Sequence, residues 1–463
     1  MVANLPAFAD PGLGDLVGKI ATACKKAEGQ AFLVGGAVRD SLLGLPPKDA
    51  DLEVYGLDSE ILEKTILPFG KVHCVGQQFA VLHLATDSGE IEISLPRRES
   101  KTGPGHKGFS IQADPNMKPE EASSRRDFTV NAMLMDPLTG EIVDPFHGQR
   151  DLKLGLLRHV SSAFSEDPLR VLRAARFVAR FGWAVAPETV SLCWEQDLSE
   201  LPVERYEKEW RGLLLRGAFP GLGLQCLANL GALRWFPELD AMRGIPQDPV
   251  WHPEGDVFRH TCLCLNAGAT IREEMEDPWV EMLGILCHDL GKAETTSFAR
   301  GRWRSPNHDN LGAKRSHKFF KRISNQEGVA GKVAALAQDH LRPTQYFFAP
   351  KVGDGAIRRL ALRVEIPALV RVAWSDAAGR DCHNMPSWQE WEPGRWLLNR
   401  AADLGVKDSE PKPYLQGQDL LDMGLEPGPE IGKILSEAFE LQLDGKLPDR
   451  EASLDWLKQK CSR

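Results

Sequence analysis

FLVGGAVRDSLLGLPPKDADLEV, residues Phe32 to Val54, sets a Gly-Gly turn directly before a helix and paired carboxylates on the strand that follows. Phe32, Leu33 and Val34 read as a short buried strand, and Gly35-Gly36 lets the backbone approach a ligand with no Cβ in the way. Ala37, Val38, Leu42 and Leu43 fall at helical spacing, so the helix presents its positive end to a phosphate with Arg39 in the first turn, and Gly44 closes it. After a Pro-Pro turn, period-two alternation puts Asp49, Asp51 and Glu53 on one strand face and Ala50, Leu52 and Val54 on the other. Neighbouring carboxylates repel unless a hard cation lies between them, and an all-oxygen set favours Mg²⁺ that also grips a substrate phosphate. A dinucleotide-binding turn does not fit, because the third glycine is missing and DAD takes the place of a single ribose-binding acid.

Three later segments extend the pattern. GEIEISLPRRESK alternates, with Ile91, Ile93 and Leu95 on one face and Glu90, Glu92 and Ser94 on the other; Lys101 to Lys107 after it reads as a solvated loop. RRDFTVNAM sets Arg125 and Arg126, a guanidinium pair suited to a triphosphate, before a helix expected to start near Asp127 with Asn131 one turn on. In EDPLRVLRAARFVARFGW, Pro168 starts a helix on which Asp167, Arg170, Arg173 and Arg176 form a polar ridge opposite Leu169, Val171, Leu172 and Phe177. On an isolated helix that ridge would be a solvated ion-pair ladder.

VGGAVRD, the following DAD and RRDFTVNAM resemble the core of bacterial tRNA CCA-adding nucleotidyltransferases and the related bacterial poly(A) polymerases. The resemblance implies an α+β fold. A polymerase-β-like head with a mixed sheet (1–150) would lead into an all-helical neck (151–240), body (241–390) and tail (391–463). It also implies Asp49, Asp51 and Glu92 as catalytic acids, the two aspartates holding Mg²⁺, and Gly36, Arg39 and Arg126 as nucleotide contacts. Asp167 and Arg170 would hydrogen-bond the base edge, with Arg173 and Arg176 on the phosphates. C and A both carry the exocyclic amine that an Asp accepts from, whereas U and G lack the matching pattern, so side chains would select the base without a template. The implied partners are tRNA, CTP and ATP, and the implied activity is addition and repair of the 3′-terminal CCA; poly(A) synthesis or partial CCA addition shares these motifs.

In the body, His260, the adjacent His288-Asp289 and Asp376 follow the order of the HD phosphohydrolase superfamily. A His-Asp pair on an apolar helix is costly to bury unless paired or metal-bound, and imidazole with carboxylate suits Ni, Mn, Co or Zn better than Mg. His308 and His340 could complete a second metal position, although a surface or internally satisfied histidine is the preferred reading of each, and Cys262-Leu263-Cys264 reads as packing in an apolar helix. An HD phosphohydrolase that uses its head to bind RNA is the reading of another class; intact Asp49, Asp51 and Arg126 speak against it. Pro427-Gly428-Pro429 splits the tail into a compact helical pair.

Composition sets the outer limits. With 463 residues, 42% hydrophobic and 26% charged, the chain is long enough for about three domains. No apolar run nears the roughly 20 residues of a membrane span and no secretory signal is visible, so a cytoplasmic protein without a membrane partner is expected. Nine scattered cysteines do not form a disulfide framework. A net charge of −9 moves any nucleic-acid contact to local basic patches.

Overall fold

Strand β1 (Gln30–Val34) is buried from Ala31 onward, and β2 (Ala50–Tyr55) is buried everywhere except Asp51, so both belong inside a sheet. The computed structural model describes residues 7–74, 81–86, 89–101, 109–380 and 385–461. The remaining head strands are β3 (Lys71–Cys74), β4 (Val81–Thr86), β5 (Gly89–Ser94), β6 (Arg97–Lys101), β7 (Phe109–Ala113), β8 (Leu134–Met135) and β9 (Ile142–Val143). Seven of the nine form a mixed sheet in the order β3-β4-β5-β2-β1-β8-β9, in which β2 and β5 run parallel and the other pairs antiparallel. Strands β6 and β7 pair separately, and residues 102–107 of the expected solvated loop lie outside the described residues.

The chain divides into two units, one of residues 1–201 with 229–232 and one of 202–228 with 233–463. In the first, Pro11–Lys26 is a helix that buries Leu13, Val17 and Ile20, and Gly36–Leu42 follows β1 directly. Gly35 at φ 65° makes that strand-to-helix turn, a backbone state that side chains disfavour. The Leu169–Phe181 helix buries Leu169, Val171, Leu172 and Phe177 as its period predicts. Phe128 packs against both Phe164 and Phe177 at 5.7 Å between ring centroids, fastening the RRDF segment to this helix. The expected helix at Asp127 is instead one 3₁₀ turn, Thr129–Asn131.

Apart from a short hairpin, Ser297–Ala299 with Arg302–Arg304, the described residues of the second unit are helical or irregular. Its last three helices, Gly417–Asp422, Pro429–Leu443 and Arg450–Cys461, enclose a small core of Leu420, Ile434, Ala438 and Leu457. The third of these adds to the expected pair. No described helix is long and apolar enough to cross a membrane.

Candidate functional site

Asp51 and Glu92 are register partners on the parallel strands β2 and β5, with both side chains on the exposed face, and Asp49 stands just before β2. Lost hydration, and then the charges of Glu92 and Asp49, push the Asp51 carboxyl up to about 6, while Arg126 pulls the other way. Although the side chain is accessible to solvent, protein crowds one side of it. An oxygen-only set of this kind fits a hard divalent cation.

The acidic face runs from solvent into the protein. Glu53 is fully buried, accepts a hydrogen bond from the Tyr55 hydroxyl at 2.5 Å, and faces Arg125 at 3.5 Å and Arg126 at 3.3 Å. It therefore anchors the arginine pair from the buried end of the Asp51 face. A Cβ on Gly35 would come within 3.3 Å of Arg126 Nη1, so the glycine turn and the guanidinium share one small space.

Arg39, expected to meet a phosphate, turns inward instead. It is 3% exposed, donates to Asp40 at 2.7 and 2.8 Å and to Asn131 at 2.6 Å, and lies 5.0 and 5.1 Å from the rings of Phe177 and Phe181. Burial among aromatics is the physical reason, and the residue acts as a strut between the Gly36–Leu42 and Leu169–Phe181 helices.

The ridge of Asp167, Arg170, Arg173 and Arg176 is half-exposed along its length. Asp167 accepts from the Leu169 N–H at 3.2 Å. Arg170 donates to the carbonyls of Ala163 at 2.7 Å and Arg125 at 2.5 Å, and Arg173 forks onto Asp127 at 2.5 and 2.8 Å. The Arg125–Asp127 segment thus ties Glu53 of β2 to the ridge on the helix. Sequence reasoning missed both supports, Glu53 and Asp127, because buried acids look like any other acid in the chain.

Asp127 yields a test. Burial alone would raise its carboxyl, but the Arg173 charge and the Asn131, Arg173 and Phe128 hydrogen bonds outweigh it and hold the group down at about 2. A depressed carboxylate stabilises the fold above its ordinary value of 3.8, and the contribution disappears as pH falls through about 2. Arg173→Ala is expected to lower unfolding free energy by about 2 kcal/mol at neutral pH, allowing for the partial exposure of Arg173. In urea titrations across pH the deficit should shrink toward zero near pH 2; a deficit independent of pH would rule out the ionic origin.

The second unit holds a separate cluster. His260 comes from the Val257–Thr270 helix, His288 and Asp289 from the end of Pro278–Cys287, His308 from the start of His308–Ile323, His340 from the end of Val329–Asp339 and Asp376 from Ile366–Ala378. His288, His308 and His340 each donate Nδ1–H at 2.7 Å to the carbonyl three residues earlier, and His260 Nδ1 lies 2.7 Å from Glu254. A carbonyl cannot donate, so these tautomers leave Nε2 as a lone-pair donor facing inward. The four Nε2 atoms lie 3.2 to 4.0 Å from Asp289, and Asp376 is 3.0 Å from His260. Burial, then the neighbouring His288, pushes His340 down to about 3, which keeps it neutral.

Buried His288 Nε2, His308 Nε2 and both Asp289 oxygens lack a hydrogen-bond partner. Lys292 Nζ is 2.7 Å from Asp289 but out of hydrogen-bonding alignment. Orphaned donors of these types fit a transition metal. His308 and His340 join Asp289 in a second ligand triplet, the alternative to the surface or satisfied reading preferred from sequence. A cavity of about 340 Å³ opens on the cluster, with Trp251, Trp303, Lys292, Arg302 and Arg380 in its walls.

Residues 31–158 match the family model of the poly A polymerase head domain. The multifunctional CCA protein of Xanthomonas campestris is 36% identical over 426 residues, covering 88% of this chain and 96% of the relative. That of Neisseria gonorrhoeae is 44% identical over 273 residues, 58% of this chain and 63% of the relative. Among solved structures, the Bacillus stearothermophilus CCA-adding enzyme in complex with CTP superposes with a TM-score of 0.68 at 23% identity, covering 98% of both chains. The Thermotoga maritima CCA-adding enzyme complexed with tRNA does so with a TM-score of 0.57 at 20% identity, covering 98% of this chain and 96% of that one. With an acidic sheet pair joined to an arginine ridge, and likeness to the Xanthomonas protein along nearly its whole length, this chain belongs to the multifunctional CCA protein family of bacterial CCA-adding nucleotidyltransferases.

Proposed function

We propose that this chain adds and repairs the 3′-terminal CCA of tRNA from CTP and ATP, in the cytoplasm where those substrates occur. The observation that carries the reading is the joining, within one unit, of the Asp51–Glu92 pair, Arg126 over Gly35 and the Asp167–Arg176 ridge. Asp49 and Asp51, with Glu92 beside them, would hold Mg²⁺, which favours the ionised attacking hydroxyl and neutralises charge on the pyrophosphate. Arg126, fixed by Glu53, holds the triphosphate against the open backbone at Gly35 and Gly36. The RNA 3′-oxygen attacks the α-phosphorus, the bond to the bridging oxygen breaks, and pyrophosphate leaves.

Asp167 and Arg170 read the base edge, with Arg173 and Arg176 along the same ridge toward the phosphates. Asp167→Ala should narrow discrimination against UTP and GTP by about 1–3 kcal/mol, measured as the ratio of kcat/KM values. Unchanged ratios would move base selection to other residues. The overall reading is tested with tRNA lacking its 3′ end, CTP and ATP alone and together, and sequencing of products. Ordered CCA is expected; a run of A from ATP alone would identify a poly(A) polymerase, and products stopping at CC or gaining only A would identify a partial enzyme.

A second activity belongs to the body. His260, His288, Asp289 and Asp376 would hold a transition metal, Ni, Mn, Co or Zn, that activates water for hydrolysis of phosphomonoesters or cyclic phosphates. The unpartnered Nε2 and carboxylate atoms, beside a cavity lined by His308, His340 and Asp376 together with Lys292 and Arg380, support this reading.

A further inference from the structure

Cys264 follows His260 by four residues on the Val257–Thr270 helix, so the two side chains share one face. The cysteine is fully buried, and its Sγ lies 3.3 Å from His260 Nε2 and 3.8 Å from the Asp376 carbonyl oxygen. Because Glu254 takes His260 Nδ1, Nε2 is the atom left for a metal, and it is this atom that faces both Cys264 Sγ and Asp376 Oδ1. His260, Cys264, His288 and Asp376 offer one donor atom each, all within 4.8 Å of one another and all buried. His288 Nε2, in the same group, has no hydrogen-bond partner.

We propose that Cys264 is a thiolate ligand of the metal in the body, adding one sulfur to the imidazoles of His260 and His288 and the carboxylates of Asp289 and Asp376. The proposal rests on reading the His-Asp cluster as a metal centre. When the metal binds, the thiol proton passes to solvent and sulfur donates to the metal. One thiolate shifts preference toward Zn, Co and Ni and away from Mg and Mn, which suit oxygen donors. The spacing is legible as an i, i+4 His-Cys pair, whereas the sequence reading assigns Cys262 and Cys264 to packing in an apolar helix.

The test is optical. Metal-free protein is loaded with Co²⁺, whose visible ligand-field bands report binding and whose near-ultraviolet charge-transfer band reports a thiolate ligand. Wild-type protein should show both. Cys264→Ser should lose the charge-transfer band and bind Co²⁺ roughly tenfold or more weakly, while Cys262→Ser and Cys287→Ser keep it. If Cys264→Ser fails to fold, Cys264→Ala takes its place, with the same loss of the charge-transfer band expected. Visible bands without charge transfer, or charge transfer that survives in Cys264→Ser, overturn the thiolate ligand and leave a metal centre of nitrogen and oxygen. No bound Co²⁺ overturns the thiolate ligand and the metal centre together.

Discussion

Asp51→Ala is expected to reduce nucleotide addition by on the order of 10³-fold or more, since a metal clamp contributes several kcal/mol at the transferring phosphoryl group. Asp51 is the one exposed residue of β2, and it faces Glu92 across the parallel pair, with Asp49 acting on it from the strand entrance. Removing it takes away the central oxygen donor and leaves the sheet intact, because Ala50, Leu52 and Val54 supply the buried packing. Affinity for tRNA should hold or rise slightly, as one negative charge is lost near a polyanion. Single-turnover addition and equilibrium tRNA binding separate the two effects. Substantial turnover by Asp51→Ala, or loss of tRNA binding in a folded variant, would remove Asp51 from the catalytic role.

The parts of the fold that were legible in the sequence are those whose signal is local. The Gly-Gly turn, the alternation of β5 and the polar ridge on the Leu169–Phe181 helix each repeat within a few residues, and the burial pattern follows that repeat. Long-range pairing was hidden. Glu53 has the same period as Asp49 and Asp51, yet it sits deeper in a central strand where Tyr55, Arg125 and Arg126 enclose it. Arg39 sits in the first turn of a helix, as a phosphate ligand would, and only the ring pair Phe177 and Phe181 from a distant helix decides that it points inward. His308 and His340 carry no ligand at helical spacing, and several helices must fold before both come within 4.0 Å of Asp289. A clue did exist for the body histidines: His288 and His340 each cap a helix end, where an Nδ1–H satisfies an open carbonyl and aims Nε2 outward from the helix.

Asp289→Ala is expected to reduce bound transition metal from near one equivalent or more to near none, and to abolish phosphohydrolysis, while CCA addition proceeds at a near wild-type rate. Asp289 is the common neighbour of the cluster, with four histidine Nε2 atoms within 4.0 Å and Lys292 at 2.7 Å, so its removal takes a donor from every candidate metal position that uses it. The acids proposed for nucleotide transfer lie in the other unit and use oxygen alone, so the two chemistries should separate. Stability has to be followed alongside, because the substitution leaves the Lys292 ammonium with Gln247 as its hydrogen-bonding partner in a buried setting. Asp289→Asn keeps the shape and removes only the charge. Metal that binds the folded state alone stabilises it by about 3 kcal/mol at a hundredfold excess over Kd. Chelation should therefore lower the melting temperature of the wild-type body and leave Asp289→Asn unmoved. A folded Asp289→Ala that loses CCA addition would show the two sites to be coupled, and a wild-type melting temperature indifferent to both chelator and added metal would reduce the cluster to packing.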